Sequence, residues 1–96
     1  MRLSYHPQSR RELKKAAAHY NLERSGLGDE FLEEFDAAAR IVEAHGTSMA
    51  VVVSDFRVVK FKRFAYGIYY RVIGDTARML TIKHLHRDPG YGLDRT

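Results

Sequence analysis

The sequence predicts an α+β fold: a short N-terminal strand, an antiparallel two-helix hairpin, and a small antiparallel β-sheet on which the hairpin packs. Three observations predict it. Apolar residues recur at helical spacing through the first half, a pair of close glycines divides that half, and period-two alternation takes over in the second. A length of 96 residues, 45 % hydrophobic and 29 % charged, suits one ordinary globular domain over 1–96.

Leu3 and Tyr5 begin an extended segment that Pro7 closes, because proline pre-sets its own φ for a first helical turn and restricts the residue before it. Leu13, Ala16, Ala17 and Tyr20 then follow the spacing of one helix face. The helix starts either at Pro7 or at a capping box formed by Ser9 and Glu12. Gly26 and Gly28 break it, and Asp29, Glu30, Glu33 and Glu34 follow where a helix N-terminus favours negative charge. Leu32, Phe35, Ala39 and Val42 keep helical period, Phe31 and Ala38 widen the stripe, and Gly46 is the expected stop.

Strand texture follows. Residues 50–53 form a short β-branched run, 56–64 and 66–73 alternate, and Gly74-Asp75 marks a tight turn into a strand over 78–84. The tail around Asp88-Pro89-Gly90-Tyr91-Gly92 is rich in turn residues.

Composition excludes several function classes. There is no cysteine, which rules out disulfides, thiol nucleophiles and cysteine-based zinc sites. The longest uncharged stretch, 46–54, is far short of a membrane span. No apolar signal region follows Met1, so a cytoplasmic location is expected and no membrane partner is. Residues 1–46 carry seven Lys/Arg against eight Asp/Glu, a balance of −1, while 47–96 carry nine against four, a balance of +5. A localised basic surface favours an acidic partner, although a net charge of +4 also serves solubility.

The hairpin has one apolar side, so it covers one sheet face. Val59, Phe61, Ile68, Tyr70, Val72, Leu80 and Ile82 are the candidates for that face. Period two then places Lys60, Lys62, Gly67, Tyr69, Arg71, Met79, Thr81 and Lys83 on the other. Four cations around a tyrosine suit phosphate contacts with base stacking. The same lysines equally suit a solvated face that discourages edge pairing. Gly67 marks either a close approach or a sheet defect. His84 and His86 share a strand face but lack a third ligand, a weak metal signal, and they also suit acid/base chemistry. No metal or cofactor is expected.

Four strings in order carry a family resemblance. They are Tyr5-His6-Pro7 with Glu12-Leu13, residues 26–32, residues 63–72, and His84-Leu85-His86-Arg87-Asp88-Pro89. With them the chain resembles the RelE/ParE superfamily of bacterial type II toxin–antitoxin toxins, more closely its ParE-like branch, over nearly its whole length. The resemblance implies a helical hairpin on a small antiparallel sheet. It also implies a cognate antitoxin whose C-terminal region folds on the toxin, with operator DNA reached only through that antitoxin.

The activity that the resemblance implies divides in two. RelE-like members cleave mRNA in the ribosome with cations on the exposed sheet face and a late tyrosine. Lys60, Lys62 and Arg87 fit the cation positions, Tyr91 fits the tyrosine, and His86 is a further candidate. The mid-strand arginine of those nucleases falls on Gly67, which removes a charge the transition state uses. Arg71, farther along the same face, offers a substitute expected to be displaced by about 7 Å. ParE-like members instead poison DNA gyrase, and the Arg63-Phe64-Ala65-Tyr66 string resembles that branch, with alanine where proline is usual. The target-binding set expected from the exposed face is Lys60, Lys62, Tyr69, Arg71, Lys83 and Arg87.

Overall fold

A computed structural model describes all 96 residues. It contains β1 (Arg2–Tyr5), α1 (Pro7–Glu23), α2 (Leu27–His45), β2 (Val51–Val53), β3 (Phe56–Lys60), β4 (Tyr66–Ile73) and β5 (Thr76–His84). The sheet order is β1-β5-β4-β3-β2. β2, β3, β4 and β5 run antiparallel to one another in succession, whereas β1 lies parallel to β5, so the sheet is mixed. No tight turn joins β1 to β5, and the helical connection frees β1 to take the parallel direction.

Proline decides where α1 begins. Pro7 is its first residue, and the His6 ring caps it by accepting the Gln8 N–H at 3.1 Å. Ser9 is buried, with its hydroxyl donating to the His6 carbonyl at 2.7 Å, and Glu12 reaches the sheet instead. The capping-box alternative therefore does not form. Gly28 is required by close approach, since a Cβ there would lie 2.0 Å from the Ala17 carbonyl oxygen. Its N–H donates to the Asn21 side chain at 2.7 Å, which joins the two helices across their turn.

The core lies between the hairpin and one sheet face. Ala16 and Ala17 of α1 and Phe31, Phe35, Ala38, Ala39 and Val42 of α2 meet Val59, Phe61, Ile68, Tyr70, Ala77, Met79 and Ile82. Tyr70 is fully buried, and its hydroxyl is satisfied by the Gly46 carbonyl at 2.7 Å. Two residues depart from strict alternation. Tyr69 pairs with Thr81 but Tyr70 pairs with Met79, so Leu80 is an extra residue in β5. That bulge turns Met79, expected on the exposed face, into the core, and leaves Leu80, expected beneath the helices, buried outside it. No helix is long and apolar enough to cross a membrane.

Candidate functional site

The second sheet face is organised in cross-strand rows. Lys60 and Lys83 both pair with Gly67, Val58 and Thr81 with Tyr69, and Phe56 and Arg78 with Arg71. This gathers Lys60, Gly67, Tyr69, Arg71, Thr81 and Lys83 on one face, while Lys62 lies in the loop beyond β3, and the charges of the set meet different fates.

Lys60 and Lys62 are exposed and form no ion pair. Arg71 is half-buried, 3.0 Å from Asp55 and 4.5 Å above the Phe56 ring. Lys83 is only 3 % exposed and is not presented to a partner, contrary to expectation. Its ammonium donates to the carbonyls of Asp88, Pro89 and Tyr91 at 3.1, 3.0 and 3.1 Å and sits 4.6 Å from the Tyr69 ring. Burial lowers the Lys83 pKa from its ordinary value, with Asp88 and Glu12 opposing that shift. The physical reason is the tail. Residues after β5 fold back over this face and wrap their carbonyls around the ammonium.

The tail also explains Gly67. A Cβ there would lie 2.8 Å from Val58 Cγ2 and 3.2 Å from Leu85 Cδ2, so the glycine marks a close approach. Farther on, Gly92 lies against Thr81, which is fully buried.

A second anchor holds the end of the tail. Arg95 donates to both oxygens of Glu12 at 3.0 Å and to the Leu80 carbonyl at 3.0 Å. Glu12 Oε1 also accepts from the Thr81 hydroxyl at 2.9 Å and the Ile82 N–H at 3.3 Å. Burial raises the Glu12 pKa, but hydrogen bonds from Arg95, Tyr91 and Thr81 outweigh it and hold the carboxyl below the ordinary range. Sequence reasoning missed both anchors. The apolar Leu85 and Leu93 inside an otherwise polar tail were the available signal.

The remaining candidates cluster at one end of the sheet. The His84 ring lies 5.5 Å from Tyr66 and 5.3 Å from His86, and the Arg87 guanidinium stacks 3.9 Å from the Tyr91 ring centroid. Tyr66 and His84 are paired next to the Gly67–Lys83 row, so Lys60 belongs to this end too. Arg71 does not. It is four residues along β4 from Gly67, not two, which at ~3.3 Å per residue is a displacement of ~13 Å rather than about 7 Å.

The Arg63-Phe64-Ala65-Tyr66 string has a structural role. Arg63 pairs with Glu30 at 3.0 Å and with Glu34, whose Oε1 also accepts the Lys62 and Arg63 backbone N–H groups at 2.9 and 2.8 Å. Hydrogen bonds from Arg63 and then Arg24 hold Glu30 below the ordinary carboxylate range. Phe64 and Tyr66 pack edge-on against Phe31, with ring centroids 5.2 and 5.0 Å away. The acidic start of α2 therefore fixes the loop between β3 and β4 and orients the chain on either side of Lys62.

No family model matches the sequence, and no curated protein matches it. Among solved structures, a chain of the "Chromosomal ParDE TA system from P. aeruginosa" superposes with a TM-score of 0.74 at 17 % sequence identity. The match covers 88 % of this chain and 95 % of that one. The fold is therefore ParE-like: two helices on a five-stranded mixed sheet with a strand at the N-terminus.

Proposed function

We propose that this chain is the toxin of a type II toxin–antitoxin system, a single domain over 1–96 that acts in the cytoplasm and is held by a cognate antitoxin. The carrying observation is the ParE-like fold, extended over nearly the full length of both matched chains. Growth inhibition through poisoning of DNA gyrase is the favoured action. It rests on the state of the cations: Arg71 is paired with Asp55, Lys83 is enclosed by the tail, and Gly67 supplies no charge between Lys60 and Lys83. Such a face suits recognition through Lys60, Lys62 and Arg87 better than stabilisation of a reacting phosphate, which needs several donors converging on one point.

A ribosome-dependent endoribonuclease is the second reading. Arg87, Tyr91 and His86 lie at the same end of the sheet as Lys60, and that proximity favours it. Induced expression in bacteria, followed by mapping of RNA ends, separates the readings. Growth arrest without new message ends is expected for the gyrase poison. Codon-phased cuts within translated messages would transfer support to the nuclease, and uninterrupted growth would remove the toxin reading itself.

A further inference from the structure

A cleft of about 300 Å³ lies where α1 passes the free edge of β5 and the tail begins. It is separate from the row of Phe56, Arg71 and Arg78, and one wall comes from the helix side of the molecule: Glu12, Lys15, Ala16 and His19. Tyr66, His84, Arg87 and Tyr91 contribute to the other side.

Its charged groups divide into engaged and free ones. Arg95 neutralises Glu12, the Lys83 ammonium is directed to the tail carbonyls, and His19 lies 3.2 Å from Glu23. Lys15 and Arg87 form no ion pair. His84 Nδ1 accepts the His86 N–H at 3.1 Å, so the neutral ring carries its proton on Nε2, a free donor. The Tyr66 and His84 rings, 5.5 Å apart and steeply inclined, form an aromatic wall. Lys15, without a partner, Arg87, held only by the Tyr91 ring, and one ring N–H thus line a cleft that also offers π faces.

We propose that this cleft binds a nucleoside monophosphate, with its phosphate between Lys15 and Arg87 and its base against Tyr66 and His84. Each part of the ligand answers a feature of the wall. Inorganic phosphate or a carboxylate side chain would use the cations and leave the rings unused. The volume is at the lower end for ligand pockets, which admits one nucleotide and excludes a duplex. Base stacking on such rings tolerates any base, so the class is defined by phosphate and aromatic ring together. Because Lys15 belongs to α1 and Arg87 to the tail, the bound ligand ties the tail to the helix. The cleft shares Arg87 with the target-binding set and Arg87 and Tyr91 with the nuclease reading, but a free mononucleotide is a ligand that neither reading requires.

The test is titration of the purified, isotope-labelled protein with adenosine 5′-monophosphate, followed by amide chemical shifts and melting temperature. Saturable shifts at residues 15, 66, 84 and 87 and a rise in melting temperature are expected. Inorganic phosphate and adenosine alone should each bind roughly tenfold more weakly or worse. Lys15→Glu should weaken binding by roughly tenfold or more, whereas Arg40→Glu, the same charge change on exposed α2, should not. Should Lys15→Glu misfold, Lys15→Gln replaces it. No saturable shifts, equal affinity for inorganic phosphate, or shifts centred on Lys60 and Arg71 would each overturn the proposal. Gyrase is absent from the assay, so that failure leaves the toxin reading untouched.

Discussion

Glu12 and Arg95 occupy the stretch of β5 edge that β1 leaves unpaired. The β1 ladder ends where the His6 N–H reaches the Met79 carbonyl, and beyond it the Leu80 carbonyl and Ile82 N–H would face no strand. Arg95 serves the first and Glu12 the second, so one ion pair satisfies both backbone groups. The pair's side chains are only 15 % and 16 % exposed, which makes it stronger than a surface bridge. Arg95→Ala leaves the carboxylate without its cation and should lower unfolding free energy by about 1–3 kcal/mol in a denaturant titration. Glu12 has its folded pKa depressed, so its contribution is present at neutral pH and is lost as pH falls through the folded value. The variant should therefore show a shallower loss of stability on the acid side than the parent. Gly28→Ala tests a different contact. Its Cβ must displace Ala17 or Asn21, so a loss of about 1–3 kcal/mol is expected, despite the higher helix propensity of alanine. Unchanged stability in that variant would mean that the helices part freely.

The elements differ in how legible they were. Both helices and β4 could be read from apolar spacing because each is bounded by a residue with one strong preference: Pro7, the paired glycines, and Gly74. The bulge in β5 could not. Nothing local distinguishes Met79 from Leu80, and the extra residue is fixed only by pairing with Tyr69 and Tyr70 on the next strand. The tail was invisible for a similar reason. Its turn residues announce a loop, while its packing depends on a buried ammonium supplied by β5. The site was half legible: Lys60, Tyr69 and Arg71 do share a face, yet Lys62 lies in the loop beyond β3 and Lys83 beside them is covered. Lys83→Met would leave three carbonyls without their donor. Amide hydrogen exchange should then accelerate over residues 88–93, while protection in β4 stays near that of the parent. Unchanged tail protection would show that Gly92, Leu85 and the Arg95 pair suffice without the ammonium.

At the scale of the molecule, the segregation of charge is what composition by halves concealed. The N-terminal half balances to −1, but α1 presents Arg10, Arg11, Lys14 and Lys15 to solvent while α2 carries Asp29, Glu30, Glu33 and Glu34. A sum over both helices cancels a basic surface against an acidic one. The acidic side is partly consumed inside the fold, since Glu30 and Glu34 hold Arg63. Exposed cations on α1, Lys60, Lys62 and Arg87 remain, and they are the groups with charge to offer an acidic partner. Lys60→Glu and Lys62→Glu together should abolish growth inhibition while changing stability by about 0.5 kcal/mol or less for each site, because both residues are exposed. Full toxicity in a folded double variant would move the target surface elsewhere.

The most direct test of the proposed action is DNA supercoiling by purified gyrase as the folded, antitoxin-free chain is titrated in. Poisoning predicts a dose-dependent loss of supercoiling with accumulation of cleaved DNA. Undiminished supercoiling and no cleaved DNA, with the protein in excess over gyrase, would contradict it.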